Sequence, residues 1–171
     1  LKDVFTNLLK NVTAVDLFCG IGGLTYGIQQ AGIKVLAGID IDSSCKFAYE
    51  KNNNTIFINK SVKDITKADL EKFYPKNDIK ILVGCAPCQP FSNYQKDKTM
   101  KIKHKDWDLL NDFLRLILEC KPDVVSMENV PALLKQEIFV NFVKILKEND
   151  YFVTYGIYNA QNYVFHNVEI D

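Results

Sequence analysis

The sequence predicts a doubly wound α/β fold built on a mainly parallel sheet. Three observations lead there. Short apolar runs of strand length alternate with helical patterns from residue 13 onward, with no internal repeat and no flexible linker. The strand candidates are mostly apolar and read as buried, which suits a sheet covered on both faces. Every chemically unusual cluster falls where one of these strands ends, the edge at which parallel sheets bind ligands.

Residues 13–18 read as the first buried strand, broken by Cys19-Gly20-Ile21-Gly22-Gly23. Leu24, Ile28 and Ala31 recur at helical spacing, and Gly32 ends that helix. Residues 34–39 form a second strand, stopping at Asp40-Ile41-Asp42, and Ser43 can cap a helix reaching about Lys51. Ile56-Phe57-Ile58 suits a short strand, followed by Asp64-Ile65 and a short helix over 68–74 closed by Pro75. Residues 79–84 are a third clear strand, running into Cys85-Ala86-Pro87-Cys88-Gln89-Pro90. Residues 93–105 hold little apolar content and read as a loop. Trp107, Leu110, Leu114 and Ile117 mark the core face of a helix ending near Pro122. Residues 123–127 are another buried strand, ending at Glu128-Asn129-Val130-Pro131. Ile138, Phe142, Val143 and Leu146 mark a last helix, and 152–158 is the final strand candidate.

Composition limits the function classes. The 171 residues are 47% hydrophobic and 25% charged, which suits one globular domain with at most a short tail. No apolar run approaches the ~18–20 residues that a membrane span requires. The opening Leu1-Lys2-Asp3-Val4-Phe5 lacks the basic-then-apolar layout of a secretory signal. Five cysteines are therefore expected as thiols in an intracellular, reducing compartment, not as a disulfide framework. Twenty-one basic residues cancel twenty-one acidic ones, so no global field draws in nucleic acid. Only Arg115 among the basic residues is arginine, so the fork that suits phosphate or guanine is nearly absent.

Each cluster admits a plain reading beside a functional one. Glycines at 20, 22 and 23 serve a tight turn as well as a loop that brings backbone N–H groups close to a cofactor. Asp40, at a strand end about twenty residues later, can accept both hydroxyls of a ribose, and stands ahead of Asp42 for that role; either can instead cap the next helix. Cys85 and Cys88 lack a second C-x-x-C, and His104 and His166 are the only histidines, so a closed zinc site is not expected. Cys88 is a candidate nucleophile just past a strand end; two ordinary buried cysteines are the alternative. A carboxylic acid beside an apolar wall can keep its proton near neutrality and donate it, which suits Glu128, as does capping the turn at Pro131.

Taken together the clusters are specific. Asp16-Leu17-Phe18-Cys19-Gly20-Ile21-Gly22-Gly23, then Pro87-Cys88-Gln89-Pro90-Phe91-Ser92, then Glu128-Asn129-Val130, in that order on alternating strands, resemble the cytosine-5 DNA methyltransferases. The resemblance covers 13 to about 163. It implies a sheet of the S-adenosylmethionine-dependent methyltransferase (Rossmann-like) type, with residues 1–12 as a lead-in, 13–163 as the catalytic domain and 164–171 as a divergent or truncated tail. By this resemblance S-adenosylmethionine is the cofactor. Phe18, Gly20 and Gly23 would cradle it, Asp40 would hold its ribose, and Ile41 would lie beside the adenine. Asp64 and Ile65 would read the adenine amino group, and Leu109 would line the pocket. Cys88 would attack C6 of cytosine and Glu128 would meet N3, with Pro87, Gln89, Ser92 and Asn129 on the substrate side. The target base must leave the duplex to be reached. The lysine-rich stretch 96–105 matches a loop that closes over DNA, where lysines can meet phosphates.

The resemblance stops after Tyr163. The family continues Gly-Val-Pro-Gln-x-Arg-x-Arg, whereas Val164-Phe165-His166-Asn167 follows here. The expectation is that the family's base-holding arginine, recognition domain and returning C-terminal helix lie outside these residues. The 171 residues alone are then not expected to methylate DNA, and a second polypeptide supplying the recognition domain becomes a possible partner. An RNA cytosine-5 methyltransferase and an inactive remnant that binds cofactor or a partner are the alternatives.

Overall fold

The computed structural model describes residues 9–87 and 107–163. It divides into two compact units, Leu1–Leu133 and Leu134–Asp171. The first unit carries a five-stranded sheet in the order β3-β2-β1-β4-β5, with every pairing parallel.

Strand β1 (Val12–Leu17) lies at the centre, between β2 (Lys34–Asp40) and β4 (Ile79–Gly84), and all six of its residues are buried. That position explains its unbroken burial, since both faces are covered, with Thr13 and Asp16 the polar residues among four apolar ones. From β1 the chain winds outward through α1 (Gly23–Gln30), β2 and α2 (Lys46–Asn53) to β3 (Ile56–Asn59). It then returns through α3 (Lys67–Glu71) to β4, and passes by α4 (Trp107–Cys120) to β5 (Val124–Met127). Right-handed crossovers put α1 and α2 on one face and α3 and α4 on the other, and each pair packs together. The winding direction reverses between β1 and β4, so a crevice opens at their carboxyl ends.

Most elements lie where the sequence places them. On α4, Leu110, Phe113, Leu114, Leu116 and Ile117 are buried, a wider stripe than the expected Leu110, Leu114 and Ile117. Asp42, not Ser43, caps the turn before α2, accepting from the Ser44 amide at 2.9 Å. Helix α3 is shorter than the expected 68–74. It starts at a capping box formed by Thr66 and Asp69 and stops at Glu71; beyond it Tyr74 turns inward and donates to the Ile81 carbonyl at 2.6 Å.

The second unit contains α5 (Glu137–Glu148), which buries Phe139, Phe142, Val143 and Leu146. Phe139 meets Tyr155 edge to face at 5.1 Å. The expected strand over 152–158 is not formed. Phe152 is 95% exposed, and no described strand pairs with this segment. Its composition suits a strand, but a strand exists only where a neighbour completes its hydrogen bonds. Among the described residues no helix is long and apolar enough to cross a membrane.

Candidate active site

The crevice is built from the ends of β1, β2, β4 and β5. After β1 the chain takes left-handed backbone at Phe18 (φ 57°), Gly20 (φ 49°) and Gly22 (φ 93°) within five residues. Gly22 has to be glycine: besides the φ, a Cβ there would run into the Asn53 amide and stand 2.8 Å from the Tyr49 ring. Gly20 and Gly23 differ, because among the described residues no atom beyond their own local chain stands within 4 Å of where their Cβ would sit. The loop thus presents open backbone to the crevice.

Asp40 secures this loop. Its Oδ2 accepts from the Gly20 amide at 2.8 Å and its Oδ1 from the Asp42 amide at 2.9 Å. Asp42 is occupied differently, with Oδ1 accepting from both the amide and the hydroxyl of Ser44, bonds that hold its carboxyl below the ordinary range. The alternatives left open by sequence therefore separate, with Asp42 as the cap and Asp40 at the glycine loop.

Beneath the loop lies a buried polar chain that sequence reasoning missed. Thr25 donates to Asp16 Oδ2 at 2.7 Å, and its hydroxyl stands 3.0 Å from the Tyr49 hydroxyl. Either hydroxyl can be the donor in the Thr25–Tyr49 bond, and where Thr25 gives its proton to Asp16, Tyr49 donates to Thr25. Burial pushes the Tyr49 phenol up, which keeps that proton in place. Asp16 is fully buried and its Oδ1 has no hydrogen-bond partner among the described residues. Desolvation raises its carboxyl to about 7, against the lowering by Thr25, with the charge of Asp40 adding to the rise. Gly38 was the available signal: a glycine inside a strand marks a close approach, and a Cβ there would enter the Tyr49 ring.

Arg115 was legible only as a lone arginine. From α4 it donates to the carbonyls of Val62, Ile65 and Lys63 at 3.1, 3.1 and 3.4 Å, while Asp112 and Glu119 flank it. It thereby holds the turn Val62–Asp64, which carries Asp64 exposed and leads into Ile65, whose side chain is buried in the core. Ile41 is 72% exposed at the rim and Leu109 is half-buried.

Glu128 and Asn129 grip the segment after β4. Gly84 and Met127 are paired in register, so the residues that follow them emerge side by side. The Glu128 amide donates to the Gly84 carbonyl at 3.3 Å, and its Oε2 accepts from the Cys85 thiol at 2.9 Å. Asn129 donates to the Ala86 carbonyl at 3.0 Å and accepts from the Val130 amide at 2.8 Å. The turn after β5 is thus tied by Asn129, while the Glu128 carboxylate takes the thiol rather than a cap. Pro87 is exposed at the end of this segment. Cys88, Gln89, Ser92 and the lysine-rich stretch 96–105 lie outside the described residues.

A doubly wound parallel sheet with an open glycine loop and a strand-end carboxylate at its switch point defines the Rossmann-like methyltransferase architecture. The structure of Schizosaccharomyces pombe Dnmt2 methyltransferase shares this fold at TM-score 0.64 and 20% identity, over 81% of this chain and 41% of that one. Entamoeba histolytica methyltransferase EhMeth aligns at TM-score 0.62 and 26% identity, over 84% and 45%. The family model of the C-5 cytosine-specific DNA methylases matches residues 12–167, and the chain belongs to that family. The Type II methylase M.HgiDII of Herpetosiphon aurantiacus is 49% identical over 152 residues, 87% of this chain. The Type II methyltransferase M.XorII of Xanthomonas oryzae is 34% identical over 160 residues, again 87% of this chain. The chain spans 42% and 36% of the length of these two relatives.

Proposed function

We propose that this chain carries the cofactor-binding and catalytic part of an enzyme that methylates C5 of cytosine in DNA, with S-adenosylmethionine as donor. The observation that carries the reading is the joining of Glu128 and Asn129 to residues 84–86, which immediately precede Pro87-Cys88 in the sequence; the Cys85 amide also donates to the Leu17 carbonyl where the glycine loop begins.

The crevice suits an adenosyl cofactor. Backbone at Gly20 and Gly23 is open to it, the orphaned Oδ1 of Asp16 lies at the base of the loop, and exposed Ile41 adjoins Asp40. Asp40 would hold the ribose hydroxyls with lone pairs its two amide bonds leave free, Phe18 and Ile41 would flank the adenine, and Asp64 would read its amino group. The bound cofactor supplies the methyl group.

The chain's own residues prepare the base. C5 of cytosine is a poor nucleophile, and addition of the Cys88 thiolate at C6 turns C5 into an enamine carbon. Glu128, in its protonated form, donates its proton toward N3 and so stabilises the negative charge that develops there as the S–C6 bond forms; the proton returns to Glu128 when the ring is restored. After methylation, loss of the C5 proton to solvent or a base expels Cys88 as thiolate and restores the ring. Pro87, Gln89, Ser92 and Asn129 would shape the pocket of the flipped base.

The test is adduct formation on duplex DNA carrying 5-fluorocytosine, where the missing C5 proton blocks release. It uses this chain with S-adenosylmethionine, with and without a polypeptide supplying the part of M.HgiDII that the chain does not match. A mass-resolved adduct is expected when that part is supplied, lost in Cys88→Ser and kept in Cys85→Ser. An adduct that survives Cys88→Ser overturns the assignment, and an adduct on RNA but not DNA moves the substrate.

A further inference from the structure

Cys85 stands three residues before the proposed nucleophile and has no part in the chemistry just described. Its position is set by the sheet. β4 and β5 run parallel with Gly84 opposite Met127, so Cys85 and Glu128 are the first residues beyond the two strand ends. The thiol donates to Glu128 Oε2 at 2.9 Å. One residue further on each strand the contact repeats, with the Asn129 amide on the Ala86 carbonyl. Two consecutive side chains of one strand end are therefore tied to two consecutive residues of the other.

Glu128 needs such a tie. It is exposed, and a free glutamate side chain samples many rotamers, freedom that is lost when one has to be held. A group that meets a base nitrogen has to stand within hydrogen-bond reach in a fixed direction. Among the described residues, Cys85 is the side chain donating to this carboxylate. A thiol is ordinarily a weak donor that ionises above neutrality. Here burial, the bond to Glu128 and the nearby charges of Glu128 and Asp16 push it up to about 12, so it keeps its proton and donates throughout the neutral range. The same conditions make Cys85 a poor nucleophile, which separates it from Cys88.

We propose that Cys85 is a positioning residue for Glu128, its thiol holding Oε2 so that Oε1 is left to the target base. This rests on the reading of Glu128 as the group that meets the base.

Two measurements test it, the first independent of turnover. In the 171-residue chain, iodoacetamide labelling of Cys85 is followed by peptide mass mapping. Glu128→Gln removes the charge and the strong acceptor while keeping the shape, and should speed Cys85 labelling about tenfold, the equivalent of one pKa unit. Unchanged labelling overturns the proposal, because the thiol and the carboxylate are then not coupled. The second compares methyl transfer in the complemented enzyme. Cys85→Ala should lower kcat roughly ten- to a hundredfold, the scale of a misplaced catalytic group, with unchanged affinity for S-adenosylmethionine. Cys85→Ser, whose hydroxyl can donate in place of the thiol, should recover kcat to within about twofold. Full kcat in Cys85→Ala, or Cys85→Ser no better than Cys85→Ala, overturns it. Wild-type rates in both Cys88→Ser and Glu128→Gln would instead defeat the underlying reading of the site, while the labelling would still report whether Cys85 and Glu128 are coupled.

Discussion

Replacing Asp16 with asparagine should flatten the dependence of folding stability on pH. In the folded chain the Asp16 carboxyl titrates at about 7, against an ordinary 3.8, chiefly because burial disfavours its charge. Between those pH values the unfolded chain has released a proton that the folded chain retains. Stability from this group is therefore greatest below pH ~4, falls as pH rises towards 7, and is level above that. The interval is about 3 units, and at 1.36 kcal/mol per unit the loss is on the order of 4 kcal/mol. Asparagine keeps an oxygen for the Thr25 hydroxyl but cannot ionise. Asp69 does not interfere, since its bonds to Lys60 and Thr66 hold its carboxyl well below the ordinary range and its contribution is lost only in stronger acid. The two histidines are common to both proteins and cancel in the comparison. Urea denaturation followed by circular dichroism at pH 5 and pH 8 measures the effect. The wild-type chain should lose several kcal/mol between them and Asp16→Asn far less. Parallel pH slopes for the two proteins would refute the argument that burial holds this carboxyl protonated.

Four further substitutions probe the crevice and its supports. Asp40→Ala should weaken S-adenosylmethionine binding by roughly 1.5–3 kcal/mol, the scale of hydrogen bonds to a charged group, while Asp42→Ala leaves it nearly unchanged; calorimetry with equal losses would deny Asp40 its distinct place. Arg115→Lys cannot span the carbonyls of Val62, Lys63 and Ile65 at once and should cost about 1–2 kcal/mol of stability, read as a lower urea midpoint. Gly22→Ala meets both a left-handed backbone and the Asn53 and Tyr49 side chains, and should destabilise by more than about 2 kcal/mol; a melting temperature equal to wild type would contradict that packing.

The strands and their order along the chain were legible in the amino-acid sequence, because a parallel sheet covered on both faces leaves mostly apolar runs such as Val12–Leu17. The chemistry at the strand ends was legible for a related reason: glycines, Asp40 and Glu128-Asn129 interrupt those runs where apolar packing stops. Pairing was not legible, since it joins residues far apart in the chain. Residues 152–158 have the composition of a strand and form none, because composition does not supply the neighbour that completes the hydrogen bonds. The partnership of Cys85 with Glu128, 43 residues apart, follows from the register of β4 on β5 and from no local pattern. Asp16 falls within the expected first strand, but nothing local shows that the fold encloses its carboxyl with Thr25 and Tyr49 and takes away the water that would keep it charged. Periodicity records how much of each residue is buried. Only the assembled sheet decides which groups share that burial, and proton affinity and catalytic geometry depend on those neighbours.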